Sequence, residues 1–192
     1  MFERGYKAWC ERYSTAIRAE LGLAADAPLN SFELAKHLGI RVWSPRDIPG
    51  LSEETLTVLL RNDGKTASCW SAVTLVVGNK VVVILNTSHS PARQASDLTH
   101  ELAHRIRGHE AQRVDISEGG ILLLSNYDKL QEDEADWLSG CLLLPREALL
   151  SIKRRELAES DAGAEFGVSA RMLSYRMSMT GVLRQYPSAM AR

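Results

Sequence analysis

The sequence predicts an α+β protein, and three observations lead to that class. Apolar residues recur at helical spacing between cap residues in both the first and the last third of the chain. Between these lie three β-like stretches, Thr55 to Arg61, Ala67 to Val77 and Lys80 to Leu85, parted by the turn signals Asn62-Asp63-Gly64 and Gly78-Asn79. Strands gathered in one place, not alternating with helices, predict a small three-stranded antiparallel sheet with helices packed beside it.

Composition sets the bounds. A chain of 192 residues with 45 % hydrophobic content suffices for one core plus a small appendage. A formal charge of −1 gives the whole molecule no strong pull on nucleic acid or anionic membrane. Cys10, Cys69 and Cys141 are odd in number and set among apolar residues, so they read as small core hydrophobes, not as a disulfide framework. The stretch Met1-Phe2-Glu3-Arg4-Gly5 lacks an apolar signal region and no run is long enough to span a bilayer, so a cytoplasmic protein is expected.

Taken in order, Tyr6 to Glu20 carries Trp9, Tyr13, Ala16 and Ile17 on one helical face and closes at Leu21-Gly22. A second helix runs from Ser31 to Leu38, capped by Ser31 and ended by Gly39, with Phe32, Leu34, Ala35 and Leu38 inward and His37 at the surface. Trp43-Ser44-Pro45 and Ile48-Pro49-Gly50 are turn-rich and lead into the sheet. Pro91 to Arg107 is helical: Ser90 caps it, Pro91 suits the first turn because its missing N–H has no intrahelical partner anyway, and Gly108 ends it. Another helix covers Gln131 to Leu144 and stops at Pro145. A basic helix, Glu147 to Ala158, follows, and then Ala164 to Leu173 reads as helix, tight turn, helix with Ser169 as the second cap. Residues 1–150 are expected to form the main domain, with 151–192 as a helical, helix-turn-helix-like segment that packs onto it.

The chemistry concentrates in His100-Glu101-Leu102-Ala103-His104. Residues four apart share a helix face, so His100 and His104 present two imidazoles to one point, an arrangement suited to Zn²⁺. Glu101 stands one residue round, within reach of a water at that point as general base without ligating the ion. Two surface histidines and a solvated acid are the plain alternative. A catalytic zinc needs a third protein ligand, and Glu132 is the candidate, with Asp136 on the same face four residues on to accept the free ring N–H of a histidine ligand. Glu132 is preferred to Glu134, which points the other way round the helix and, like Asp133, reads as part of a solvated face. His109 lies five residues beyond His104, one short of the extended H-E-x-x-H-x-x-G-x-x-H spacing, and reads as a capping or surface residue. Tyr127 could donate to a developing oxyanion, although a core tyrosine fits it as well.

These motifs resemble the ImmA/IrrE family, gluzincin-type metallopeptidases of bacteria and their mobile elements. The resemblance rests on His100 to His104, on Glu132-x-x-Ala135-Asp136 leading into Leu142-Leu143-Leu144-Pro145, and on the approach Ser90-Pro91-Ala92-Arg93-Gln94. Weaker similarity reaches Leu34 to Val42 and Phe166 to Ser169. The family often has Gly where Ala103 stands and an aromatic where Leu138 stands; neither position ligates metal. The resemblance implies a zincin-like fold with one Zn²⁺ per chain, held by His100, His104 and Glu132, with Glu101 as the catalytic base and Asp136 supporting a histidine. It also implies a protein substrate, a helix-turn-helix repressor whose cleavage derepresses stress-response or mobile-element genes.

The rival is a non-proteolytic, metal-stabilised regulatory module that grips a repressor or DNA through 151–192. That segment holds seven Lys or Arg against four Asp or Glu. A net of +3 is modest for a nucleic-acid surface, and no membrane partner is expected.

Overall fold

The computed structural model describes residues 1–62, 70–77, 80–109, 113–116, 122–125 and 128–185. Helix α1 (Tyr6–Glu20) opens the chain and α2 (Ser31–His37) follows, its first turn capped by Asn30, whose side chain accepts from the Phe32 and Glu33 amides. The cap is therefore Asn30 and not Ser31; Ser31 is buried and shares a hydrogen bond with Thr99. On α1 the inward face is Tyr6, Cys10, Ser14, Ile17 and Arg18, with Trp9 and Tyr13 at its margin and Ala16 exposed. On α2, Leu34 and Ala35 are buried while Phe32 is 47 % exposed.

The α+β class holds, and so does a three-stranded sheet, but its members differ from those expected. Strand β1 (Arg41–Trp43) precedes a short 3-10 turn at Pro45–Asp47, and Thr55 to Arg61 lies mostly in a helix, α3 (Glu53–Leu59). The β-branched residues suggested a strand, yet Ser52 accepts from the Thr55 amide and Glu53 and Glu54 occupy the first turn, a helix start that overrides weak β preference. Strands β2 (Ala72–Val77) and β3 (Lys80–Leu85) form the expected hairpin, in register from Ala72 opposite Leu85 to Val77 opposite Lys80. The sheet order is β1-β3-β2 and β1 runs parallel to β3, so the sheet is mixed. The expected Asn62-Asp63-Gly64 and Gly78-Asn79 turns and the start of the second stretch fall largely outside the described residues.

Helix α4 (Pro91–Arg107) has Ser90 accepting from the Arg93 amide at its start and Gly108 in the left-handed conformation, φ 68°, at its end. A hairpin of β4 (Arg113–Ile116) and β5 (Leu122–Ser125), not anticipated from sequence, comes next. Helix α5 (Lys129–Leu143) is capped by Asp128, whose Oδ1 accepts from the Leu130 and Gln131 amides. It packs along α4, where Ala103 and Ala135 are both fully buried, and against α1. One apolar cluster joins α1, α2, β3, α4 and most of α5.

A second apolar cluster begins at Leu143 and Leu144. It continues through α6 (Arg146–Arg154), α7 (Glu159–Phe166), α8 (Ala170–Met179) and α9 (Val182–Gln185). Helix α7, Gly167 and α8 make the expected helix, turn, helix, and Ser169 accepts from the Met172 amide as the second cap. No helix among the described residues is long and apolar enough to cross a membrane.

Candidate metal centre

Position within α4 puts His100 and His104 one turn apart on the same face. Their ring centroids are 4.7 Å apart and their Nε2 atoms meet at 3.0 Å. The third side chain comes from the opening turns of α5. Asp128 fixes that start, and Glu132, four residues later, reaches His100 Nε2 at 3.3 Å through Oε2 and His104 Nε2 at 3.5 Å through Oε1. Tetrahedral ligands about 2.0 Å from an ion stand roughly 3.3 Å from one another, so two imidazole nitrogens and a carboxylate at these separations match the donor set and span of a small divalent cation. Among the described residues His100, His104 and Glu132 are a group able to hold a metal ion. Each side chain keeps about a quarter of its surface exposed, which leaves one side of the group open to solvent.

Asp136, one turn beyond Glu132, accepts from His100 Nδ1 at 2.9 Å. Burial pulls His100 towards the neutral form, but the Asp136 hydrogen bond and charge, with Glu101 and Glu132, outweigh it and raise its pKa. His104 is pushed down to about 4, by burial first and then by the charge of His100. The lowered pKa of His104 favours the neutral imidazole, the form that ligates.

Glu101 does not join this convergence. Its Oε2 accepts a hydrogen bond from the Thr74 hydroxyl on β2. Burial raises its pKa above the ordinary carboxylate value, against the Thr74 bond and the charge of His100. A carboxyl held next to the ion site with its proton affinity raised suits a group that takes and returns a proton.

Two expectations are overturned. Glu134 is not on a solvated face: it is 5 % exposed, and Oε2 accepts from Arg107 Nε and Nη2, both at 2.9 Å, and from His109 Nε2 at 3.2 Å. His109 is a capping residue, its N–H donating to the His104 carbonyl at 3.0 Å, but not a surface group; its side chain is 6 % exposed and its Nδ1 lies 3.0 Å from His104 Nδ1. Helix geometry did send Glu134 away from the two histidines of α4. What it could not supply was the placement of the His109 ring, just past Gly108, against His104. A buried acid close to Arg107 and His109 was the missed signal. Asp133 does lie at the surface, paired with Lys129 at 2.9 Å, and His37 sits in the expected exposed position beside Glu20. Tyr127 and Cys69 lie outside the described residues, while Cys10 and Cys141 are buried free thiols.

No curated protein sequence matches the chain. A solved structure described as a Mycobacterium tuberculosis transcriptional regulator shares the fold, with a TM-score of 0.53 and 17 % identity over 92 % of this chain and 47 % of that one. The chain thus spans about half the length of that relative, and the likeness is one of fold. A family model described as Peptidase M78, IrrE N-terminal-like domain, matches residues 56–178. That stretch covers well over half the chain and takes in β2, β3, α4 and α5, so the chain belongs to the ImmA/IrrE family of metallopeptidases.

Proposed function

We propose that the chain is a zinc-dependent endopeptidase in which His100, His104 and Glu132 hold the ion, Glu101 is the catalytic base and Asp136 orients His100. The observation that carries this reading is the meeting of two imidazole Nε2 atoms and a carboxylate within 3.0 to 3.5 Å, with Glu101 beside them but engaged elsewhere. Nitrogen and oxygen donors in that number favour zinc among divalent ions. Bound there, zinc supplies Lewis acidity for carbonyl polarisation and water activation. Glu101 takes a proton from the attacking water and returns it to the leaving amine nitrogen. Asp136, by accepting the His100 Nδ1 proton, leaves Nε2 bare towards the ion. Strand β2 forms a wall of the cleft: Thr74 touches Glu101, and an extended peptide can pair along a strand edge.

The substrate we infer is a DNA-binding repressor whose cleavage derepresses stress-response or mobile-element genes. Family membership and the regulator of similar fold support it. Residues 1–150 form the peptidase domain on this reading, and 151–192 close it, since α7 to α9 bury their apolar faces on Leu143, Leu144, Ala148 and Leu149. A site inside the cell agrees with the two buried free thiols and with a repressor substrate.

The alternative is a non-catalytic module that grips a repressor or DNA through the α7–α8 helix pair, and the helix-turn-helix geometry there favours it. Against nucleic acid, Arg176 is fully buried and Arg155 is committed to Glu165 at 2.7 and 2.8 Å, which diminishes the segment's positive surface. Substitution Glu101→Gln separates the readings. The variant should hold one zinc by elemental analysis and unfold like the wild type, yet fail to cleave and fail to relieve repression. Full derepression by Glu101→Gln would overturn the peptidase reading. Glu132→Ala should lose stoichiometric zinc, and retention would overturn the ligand assignment.

A further inference from the structure

Strand β2 is the last strand of its sheet, so one of its edges is unpaired among the described residues. Its six residues, Ala72-Val73-Thr74-Leu75-Val76-Val77, include no charge and no proline, two of the devices that keep a free edge from pairing. Pairing with β3 fixes which main-chain groups face that edge. The Ser71 carbonyl accepts from the Asn86 amide at 2.9 Å, one step beyond the pair of Ala72 and Leu85. Bonded and non-bonded pairs alternate along an antiparallel ladder, so Val73 and Leu75 also turn their main-chain groups towards β3. Ala72, Thr74 and Val76 therefore turn theirs to the open edge. Side chains alternate as well. Thr74 stands on the α4 side at Glu101, whereas Val73 and Leu75 stand on the opposite face, each 43 % exposed, beside the half-buried Ile84 and Val82 of β3. The solvated face of an antiparallel sheet is ordinarily polar; this one is apolar.

We propose that Val73 and Leu75 set the sequence preference of the peptidase by selecting two apolar substrate side chains that flank one facing the ion site. The preference rests on the endopeptidase reading and narrows its substrate to particular extended segments. A peptide paired along the edge bonds the Thr74 amide and carbonyl, so its residue opposite Thr74 points to the α4 face, where Glu101 stands. The residues before and after it point to the other face and lie against Val73 and Leu75. The segment selected is therefore apolar, any, apolar, next to the cleaved bond. The pleat imposes that order whichever way the peptide runs.

Two measurements on the full chain test it. Amide hydrogen exchange followed by NMR reads the register without any substrate: the Thr74 and Val76 amides should exchange fast and those of Val73 and Leu75 slowly. The reverse pattern would overturn the proposal. Zinc-loaded protein is then given a library of random-sequence peptides, and the products are sequenced by mass spectrometry. Wild type should favour Val, Ile, Leu, Met or Phe at two positions separated by one residue. Leu75→Lys should lower kcat/KM at least about fivefold for peptides apolar at both positions and exchange the preference at one of them for Asp or Glu, as opposite charges pair across strands. Val73→Lys should do the same at the other position. Cleavage with no preference at the two positions, or a uniform loss towards every peptide in both variants, would overturn the specificity assignment and leave the peptidase reading standing. Zinc-loaded wild type that cuts no peptide would overturn both.

Discussion

Thr74 pairs across the sheet with the buried Val83, so its side chain stands on the face that packs against α4, where its hydroxyl finds Glu101. Thr74→Val keeps the branched shape and removes only the donor. A bond to the ionised carboxylate holds its pKa down, so losing it raises the Glu101 pKa and moves the acidic limb of the kcat/KM profile to higher pH. Turnover at neutral pH should fall about tenfold or more, since a hydrogen bond to a charged group contributes about 1.5–3 kcal/mol. An acidic limb that stays in place would mean the hydroxyl does not tune Glu101. At this scale legibility depended on sequence distance. His100, Glu101 and His104 could be read because four residues make one turn, and Glu132 with Asp136 for the same reason. Burial of Glu134 and His109 could not, because it arises where the end of α4 meets α5, and no local period reports such a meeting.

Among elements, α5 is the one on which the proposed ligand set most depends, because Glu132 lies four residues from its cap. Asp128→Ala removes the side-chain acceptor for the Leu130 and Gln131 amides and should cost about 1 kcal/mol. In a chain of this size that is a fall of about 2–4 °C in Tm. Zinc affinity should drop as well, since a frayed first turn leaves Glu132 unplaced; an unchanged dye-competition curve would show that α4 packing alone fixes it. Helix α4 was legible because cap, period and stop agreed; α5 was read from its apolar side and Pro145, and its cap, Asp128, emerged only in the structure. Helix α3 was not legible: Thr55-Leu56-Thr57-Val58-Leu59 has a strand's composition, and the deciding evidence lay just outside it in Ser52, Glu53 and Glu54. The three-residue β1 escaped because nothing in so short a run exceeds the turn signals beside it; its place comes from pairing with β3.

For the whole molecule, the closing segment is the question. The last turn of α5 contains no basic residue, yet its carbonyls are met by side chains from both sides. Ser14 donates to Cys141 O at 2.7 Å, Arg18 to Leu142 O at 2.7 Å and Arg176 to Leu144 O at 3.1 Å. Arg176 also donates to Glu11 at 2.7 Å, so α8 reaches across to α1. At Gly140 a Cβ would stand 3.0 Å from the Arg176 side chain, so that arginine packs directly over the helix backbone there. A chain cut after residue 150 loses Arg176 and the apolar cover of Leu143, Leu144 and Leu149 together. It should not unfold cooperatively or show a native near-UV circular dichroism spectrum. A sharp two-state melt from residues 1–150 would establish instead that the tail is dispensable. The sequence spacing made α7 and α8 visible as helices; the buried arginine that ties them to α1 was invisible, because a charge at helical spacing reads as surface until its partner is seen.

That arginine-closed end makes α5 a beam clamped at one end. Guanidinium groups and the second apolar cluster grip it at Leu142 to Leu144, while at the opposite end, near Glu132, the Tyr6 hydroxyl donates to the Glu134 carbonyl at 2.6 Å. An ion seated between Glu132 and α4, as proposed, would be a further support of that beam. On the proposed reading the metal would be a brace as well as a reagent, joining α5 to α4 at the end away from the arginines.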